Sequence, residues 1–436
     1  MTADRVRCVI VADDLTGAAD SSAALAALGL RVRIAPWPHD DDVRAAVTAA
    51  VGRTDVDVLV IETASRELDA VAAGRRLADV ATALRDVTHR PGTAHTASDT
   101  PWIIKKIDSV LRGPIAAEIT ALRTGTGATT TVVAPAFPRL GRTTIDGVQL
   151  VDGVAVGSSP GDPVPGRSAA DAEVARACGL TPATLRAAGQ GPLPGQVTVH
   201  DARTDSDLER LARTLAAEHP RPFIVCTAGL LEHLAPHLAG GVHVDPAEGD
   251  AGTRSANGAL LVISLSPTAA AVAQLDDLVA SRGAVRVDLA LEAAISDPAA
   301  AGSTLGQELA AALADAGPST IVVLGLASEE RIASGTEASA VRDAILRTVD
   351  EALAVTPRPT LILANGGDSA RLVLDRWFPA SLEVVGPLPH GAALTTGRDG
   401  AQLAMKSGGF GPITALSDIV DALAARPVHV AGAHPS

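Results

Sequence analysis

A chain of 436 residues, 47% hydrophobic and 20% charged, carries enough apolar material for two cores rather than one. A formal charge of −14 argues against nucleic acid or an anionic membrane as partner, and 2% aromatic residues with no Tyr argue against a base-stacking platform. Such a surface still admits a small anion, provided a local cluster of basic side chains receives it.

In the first half, short apolar runs alternate with helical patterns. Strands are expected over 6–12, 32–35, 56–61, 102–107, 130–134, 197–200 and 222–226, with helices over 18–28, 68–85, after Pro114 and over 206–218. A Gly/Pro/Ser-rich excursion over 154–196, with a helix near 169–178, interrupts the alternation. A polar, Gly-rich linker is expected over 240–258. Beyond it come strands over 259–265, 284–287, 320–324 and 360–364, separated by helices over 267–281, 304–316 and 336–354, then short β-like runs over 382–413. The pattern predicts an α/β protein of two domains, 1–240 and 255–436, each a mainly parallel sheet flanked by helices.

Cys8, Cys178 and Cys226 form neither a CxxC pair nor a metal-ligand spacing. Cys8 and Cys226 lie in apolar runs and read as buried inert thiols, which suits a reducing cytoplasm. The first seven residues carry charges of both signs and no signal-peptide core, and no window reaches the ~18 uninterrupted apolar residues of a membrane span.

Ligands of parallel α/β sheets bind outside the carboxyl ends of the strands, so the polar residues there matter most. The first strand stops at Asp13-Asp14. Adjacent carboxylates repel, and the pair serves a cation, a substrate hydroxyl or both, unless one simply caps the next helix. Arg66, after the strand at 56–61, is an anion clamp or an ordinary surface arginine. The strand at 102–107 ends in Lys105, Lys106, Asp108, Ser109 and Arg112, with Lys106 and Asp108 on one strand face. The loop after the strand at 130–134 adds Arg139 and Arg142. Together these make the basic cluster that an anionic substrate needs on an acidic protein. In the second half, Gly366 and Gly367 before Asp368 and Ser369, the loop Lys406-Ser407-Gly408-Gly409, and Ser264 and Ser266 suggest a nucleotide cradle. Neither GxGxxG nor GxxxxGK[ST] occurs where it fits, which disfavours a dinucleotide fingerprint and a P-loop.

In order, IVADDLTGAAD, KKIDSVLRGPIAAEI, APAFPRLGRTTIDGV, HDARTDSDL, SLSP, LANGGDSA and KSGGFG resemble the four-carbon acid sugar kinase family, over roughly residues 7–425. The resemblance implies an N-terminal domain for the sugar acid, a C-terminal domain for ATP, and phosphate transfer to the terminal O4 hydroxyl. It implies substrate-side roles for Asp13, Asp14, Arg66, Lys106, Asp108, Ser109, Arg112 and Arg142. It implies nucleotide-side roles for Ser264, Gly366, Gly367, Asp368, Ser369, Lys406, Gly408 and Gly409. Departures from the family's usual pattern sit in the second half, at Ile263, Gly409 and the segment Pro389-His390-Gly391-Ala392. On this reading Arg112, Arg142 and Lys106 hold the acid, one of Asp13, Asp14 and Asp108 takes the hydroxyl proton, Mg²⁺ bridges the ATP phosphates, and domain closure joins the two sites. No protein ligand set for the metal is assigned, and a homodimer is left open. The competing readings are an NAD-dependent hydroxy-acid oxidoreductase and a non-catalytic sugar-acid sensor.

Overall fold

Runs of β-branched and aliphatic residues bury both faces when they form the middle of a parallel sheet. In β1 (Cys8–Ala12) no residue is more than 1% exposed. The computed structural model describes residues 6–37, 55–88, 101–158, 168–239, 254–255, 258–326, 336–378, 380–426 and 428–429. Apart from 254–255 and 258, the expected linker lies outside them. The chain divides into two units, Met1–Pro246 and Ala247–Ser436.

In the first unit β1 leads into α1 (Leu15–Ala27), followed by β2 (Val32–Pro36), β3 (Val58–Glu62), α2 (Ala70–Thr88), β4 (Trp102–Lys106), α3 (Ile115–Thr126) and β5 (Thr131–Ala134). Next come β6 (Arg142–Ile145), β7 (Val148–Val151), β8 (Val154–Ala155), α4 (Val174–Ala177), β9 (Thr184–Arg186), β10 (Val197–His200), α5 (Asp205–Ala217), β11 (Phe223–Cys226) and α6 (Ala228–Ala239). Eight of these strands form a wholly parallel run in the order β2-β3-β1-β4-β11-β5-β10-β9. After β1 the chain moves to one side, and with β4 it starts on the other. The crevice outside the carboxyl ends of β1 and β4 is therefore the switch point, where an open sheet of this kind binds ligands.

Two parts of this unit differ from expectation. The excursion at the edge of the domain, read with a helix and no strand, contributes β9, which pairs with β10 at the edge of the sheet. Its helical stretch is a 3₁₀ turn, Ala169–Ala172, and the single turn α4. Before it, β6, β7 and β8 make a three-stranded antiparallel sheet absent from the sequence reading. Its two turns are Asp146-Gly147 and Asp152-Gly153, all four residues at positive φ. Two-residue hairpin turns need that conformation twice, and Asp-Gly supplies it with least strain.

The second unit contains β12 (Arg254–Ser255), β13 (Leu260–Ser264), α7 (Ala269–Arg282), β14 (Val285–Leu289), α8 (Leu291–Ser296), α9 (Pro298–Ala314), β15 (Ile321–Leu326) and α10 (Thr336–Val355). It continues with β16 (Leu361–Asn365), α11 (Gly367–Trp377), β17 (Leu382–Leu388), β18 (Ala392–Thr396), β19 (Gln402–Lys406), α12 (Ala415–Ala424) and β20 (Val428–His429). Strands run β14-β15-β13-β16-β19 in parallel, and β18 and β17 continue antiparallel. A parallel pair of β12 and β20 stands apart. The same logic as in the first unit puts a switch point outside β13 and β16. Each unit has its own aliphatic core, one around Val11, Leu77 and Ile119, the other around Val262, Leu363 and Leu416. All three cysteines are free and buried, and burial pushes the Cys178 thiol up to about 12, where it is a poor nucleophile. Among the described residues no helix is long and apolar enough to cross a membrane.

Candidate functional site

At the first switch point, the register sets Ala12 beside Glu62 on one side and Lys106 on the other. The residues after these ends converge. Asp14 caps α1, accepting from the Gly17 N–H at 3.1 Å and the Thr16 hydroxyl at 2.7 Å. The helix therefore starts three residues before its expected position at residue 18. Arg66 reaches across from β3 and donates twice to Asp13, at 2.7 and 3.1 Å, and its Nη2 lies 2.6 Å from Asp14 and 3.8 Å from Asp108. Arg112 donates twice to Asp108, at 2.9 and 2.7 Å, and the Val110 and Arg112 N–H groups also donate to that carboxylate.

These contacts decide the charge states. Burial alone would raise the Asp13 carboxyl, but Arg66, with Lys105 and Lys106, holds it at about 2. Burial also works against Asp108, yet hydrogen bonds from Arg112 and the field of Arg66 hold it well below the usual carboxylate range. Burial disfavours the Arg66 charge, but Asp13, Asp14 and Asp108 keep its pKa well above normal.

The two lysines at the end of β4 part company. Neighbouring strand residues face opposite sides. Lys105 is fully buried and ion-paired to Glu118 of α3 at 3.0 Å, and Glu118 also accepts from the Ser65 hydroxyl. Its charge is thus answered internally rather than offered to an anion, a correction to the cluster expected from sequence. Lys106 is 6% exposed and makes no hydrogen bond or ion pair among the described residues. Its Nζ lies 2.5 Å from where a Cβ on Gly17 would stand, so α1 needs glycine there for the ammonium to fit. Lys106 is accordingly a buried cation near Asp13, Asp14, Asp20 and Asp108 with its donors uncommitted.

The remaining expected residues frame this point. Ser109 is half-buried, and its carbonyl accepts from Gln149 Nε2 at 2.9 Å. Gln149, fully buried on β7, also donates to Pro135 O and accepts from Thr144, so it ties the β6–β8 sheet to two loops of the site. Arg142 opens β6 and donates to Leu140 O. Arg139 pairs with Glu232 of α6 and stacks on Phe137.

At the second switch point, Ser264, Asn365 and Lys406 are register neighbours across β13, β16 and β19. Asn365 donates to Ser264 Oγ at 2.9 Å and accepts from Lys406 Nζ at 3.2 Å. The same ammonium donates to the carbonyls of Ser407 at 2.9 Å and Gly408 at 3.4 Å. Its hydrogens are thus directed into the loop. Burial brings the Lys406 pKa down to about 8. Gly366 adopts φ 102°, donates to Lys406 O at 2.8 Å, and directly precedes α11. A Cβ on Gly408 would come within 3.2 Å of Gly366 Cα, whereas one on Gly409 would meet nothing within 4 Å. Ser369 accepts from the Leu265 N–H at 3.2 Å, tying α11 to β13. The first N–H groups of α11 have no partner within the helix and face outward at its positive end. Asp368 is turned to Arg342, which donates to it twice. Three residues of these sites escaped the sequence assignment. Asn365 was read as the residue after a strand ending at 364 and given no role, whereas it is the last residue of β16; Gln149 lies in the unforeseen hairpin sheet, and Asp20 is one acidic residue in an Ala-rich helix.

A family model described as a sugar-binding N-terminal domain matches residues 8–234, and one described as a nucleotide-binding C-terminal domain matches residues 261–416. A D-threonate kinase of Bordetella bronchiseptica is 31% identical over 92% of this chain and 94% of its own. A 3-oxo-tetronate kinase of Methylobacterium radiotolerans is 28% identical over 92% of this chain and 95% of its own. A crystal structure from Salmonella typhimurium LT2, named as a tRNA synthase, superposes with a TM-score of 0.71 at 18% identity, covering 94% of this chain and 98% of that one. At that identity the likeness shows the fold alone.

Proposed function

The chain belongs to the four-carbon acid sugar kinase family, and we propose that it transfers the γ-phosphoryl group of ATP to the terminal O4 hydroxyl of a four-carbon acid such as threonate, erythronate or a 3-oxo-tetronate. The observation that carries this reading is the uncommitted Lys106 ammonium at the first switch point. A buried cation with free donors is costly unless something anionic or hydroxylic completes it. Arg66 and Arg112 are already engaged with carboxylates, and they brace the pocket rather than seize the acid alone. The N-terminus of α11 and the close-packed Gly366 and Gly408 suit a nucleotide phosphate, received by backbone N–H groups and the nearby Lys406 charge. Among the described residues no group of three acidic, His or Cys side chains could hold a metal. A Mg²⁺ ion entering with ATP would neutralise the charge of the phosphates.

Release of ADP, coupled to an indicator enzyme and measured over a panel of four-carbon acids and their 3-oxo forms, tests the proposal, with phosphorus NMR of the product reporting the oxygen modified. Turnover of at least one acid and a 4-phosphate product are expected. No turnover with any of them, or phosphate on another oxygen, would refute it.

Two further results are expected. In Gly17→Ala the new methyl meets both the Asp14 carboxylate and the Lys106 ammonium and displaces them. The KM for the acid should rise about tenfold, although alanine favours an isolated helix by about 1 kcal/mol. An unchanged KM would show that Lys106 does not touch the substrate. For Lys406, the ammonium is half deprotonated near pH 8 in the free protein. A bound phosphate stabilises the charge, so nucleotide binding should take up protons above that pH, and affinity should fall as pH rises from 8 to 10. Calorimetry in buffers of different ionisation enthalpy measures the uptake.

A further inference from the structure

We propose that Asp20, on the second turn of α1, is the base that accepts the proton of the attacking hydroxyl. The inference rests on the kinase reading above and assigns a role to a residue outside the expected acidic set.

The three expected carboxylates are occupied. Asp13 takes two bonds from Arg66, Asp14 caps α1 and contacts Arg66 and Thr16, and Asp108 receives the Arg112 guanidinium and two backbone N–H groups. Protonating Asp13 or Asp108 would weaken these bonds, so both are poor proton acceptors, and the Asp14 carboxylate is taken up by the helix cap and Arg66.

Asp20 lies three residues beyond Gly17 and so shares its helix face. A helical side chain leans back over the preceding turn. The lean carries the Asp20 carboxylate toward Gly17, where the Lys106 ammonium fills the space left by the missing Cβ. Asp20 is half-buried and makes no hydrogen bond or ion pair among the described residues. The charged groups around it are Asp14 at the start of its own helix, Lys106 from β4, Arg139 from the turn after β5, and Glu232 from α6, which packs on α1. Burial and Asp14 raise its pKa, Lys106 and Arg139 lower it, and the balance falls at about 6. A base is most effective when its pKa lies near the working pH.

In the transfer step the hydroxyl oxygen bonds to the γ-phosphorus, and its proton passes to the Asp20 carboxylate. The bond from that phosphorus to the β,γ-bridging oxygen breaks, and its electron pair leaves with ADP. Asp20 then returns the proton to solvent.

The test begins with wild-type ADP release, because failure there refutes the kinase reading itself. With turnover in hand, Asp20→Asn should lower kcat about 100-fold or more while the KM for the acid changes little. The wild-type rate should fall as pH drops below about 6, and Asn should abolish that limb. Asp20→Glu, which keeps a carboxylate, should restore part of kcat together with the limb. Should the Asn variant prove unstable, the Glu variant decides: a shifted but present acid limb supports the role, and a limb identical to wild type overturns it. An Asn variant with near-wild-type kcat also overturns it.

Discussion

Lys106→Met should raise the KM for the sugar acid about 100-fold, equivalent to roughly 3 kcal/mol, while the KM for ATP stays nearly constant. The size follows from where the ammonium sits. It is 6% exposed and bonded to nothing in the described protein. A substrate oxygen would therefore meet an almost dry, charge-assisted donor, and methionine offers the same stem with no donor at all. Arginine should not rescue the loss, because the space beside Gly17 fits an ammonium and not a planar guanidinium. Lys106 also lowers the Asp20 pKa, so the acid limb of the residual activity should move to higher pH. Steady-state kinetics with each substrate varied in turn would show the split. A fall in kcat alone, with the acid KM unchanged, would instead place Lys106 at the phosphoryl group.

How far this site could be read from sequence depends on which physical rule applied. Asp13, Asp14, Lys106 and Asp108 were visible because each closes an apolar strand, and the carboxyl ends of parallel strands collect at one edge. Their pairing was not visible. Arg66 meets Asp13 only because β1 and β3 align Ala12 with Glu62, a register that no local signal reports. Lys105 and Lys106 were pooled as one basic cluster, though alternation along a strand already separates them, and the structure sends Lys105 to Glu118 on the other face. The hairpins at Asp146-Gly147 and Asp152-Gly153 carried a local turn signal that was passed over, and with them went Gln149. Asp368 looked like part of a phosphate loop because it follows two glycines. Once α11 forms, its direction is set by the helix, and that direction leads to Arg342. Asp20 is the converse case: it ends the first motif of the resemblance but closes no strand, and only the β1–β4 pairing brings Lys106 under its helix.

Arg66→Ala should destabilise the protein by about 3–5 kcal/mol at neutral pH, the cost of leaving buried carboxylates without their cation. Arg66 is largely buried, and among the described residues it alone reaches all three of Asp13, Asp14 and Asp108. Without it, Asp13 and Asp14 lose their nearest cation, and Lys106, Arg112 and the more distant Lys105 and Arg139 are left to balance the acidic groups. The loss should depend on pH in a definite direction. The Asp13 carboxyl is held at about 2 in the folded chain against an ordinary 3.8. Its stabilising contribution is complete above the ordinary value and disappears as pH falls toward the folded one. In the variant Asp13 loses its main partner and can be protonated near or above the ordinary value, so it no longer favours the folded state at neutral pH. The gap between wild type and variant should therefore be widest from pH 5 to 7 and should narrow as pH falls from 4 toward 2. Denaturant unfolding at a series of pH values measures this gap. If it stayed constant down to pH 3, the destabilisation would come from lost packing of the arginine stem, and Arg66 would not be the electrostatic brace of this pocket.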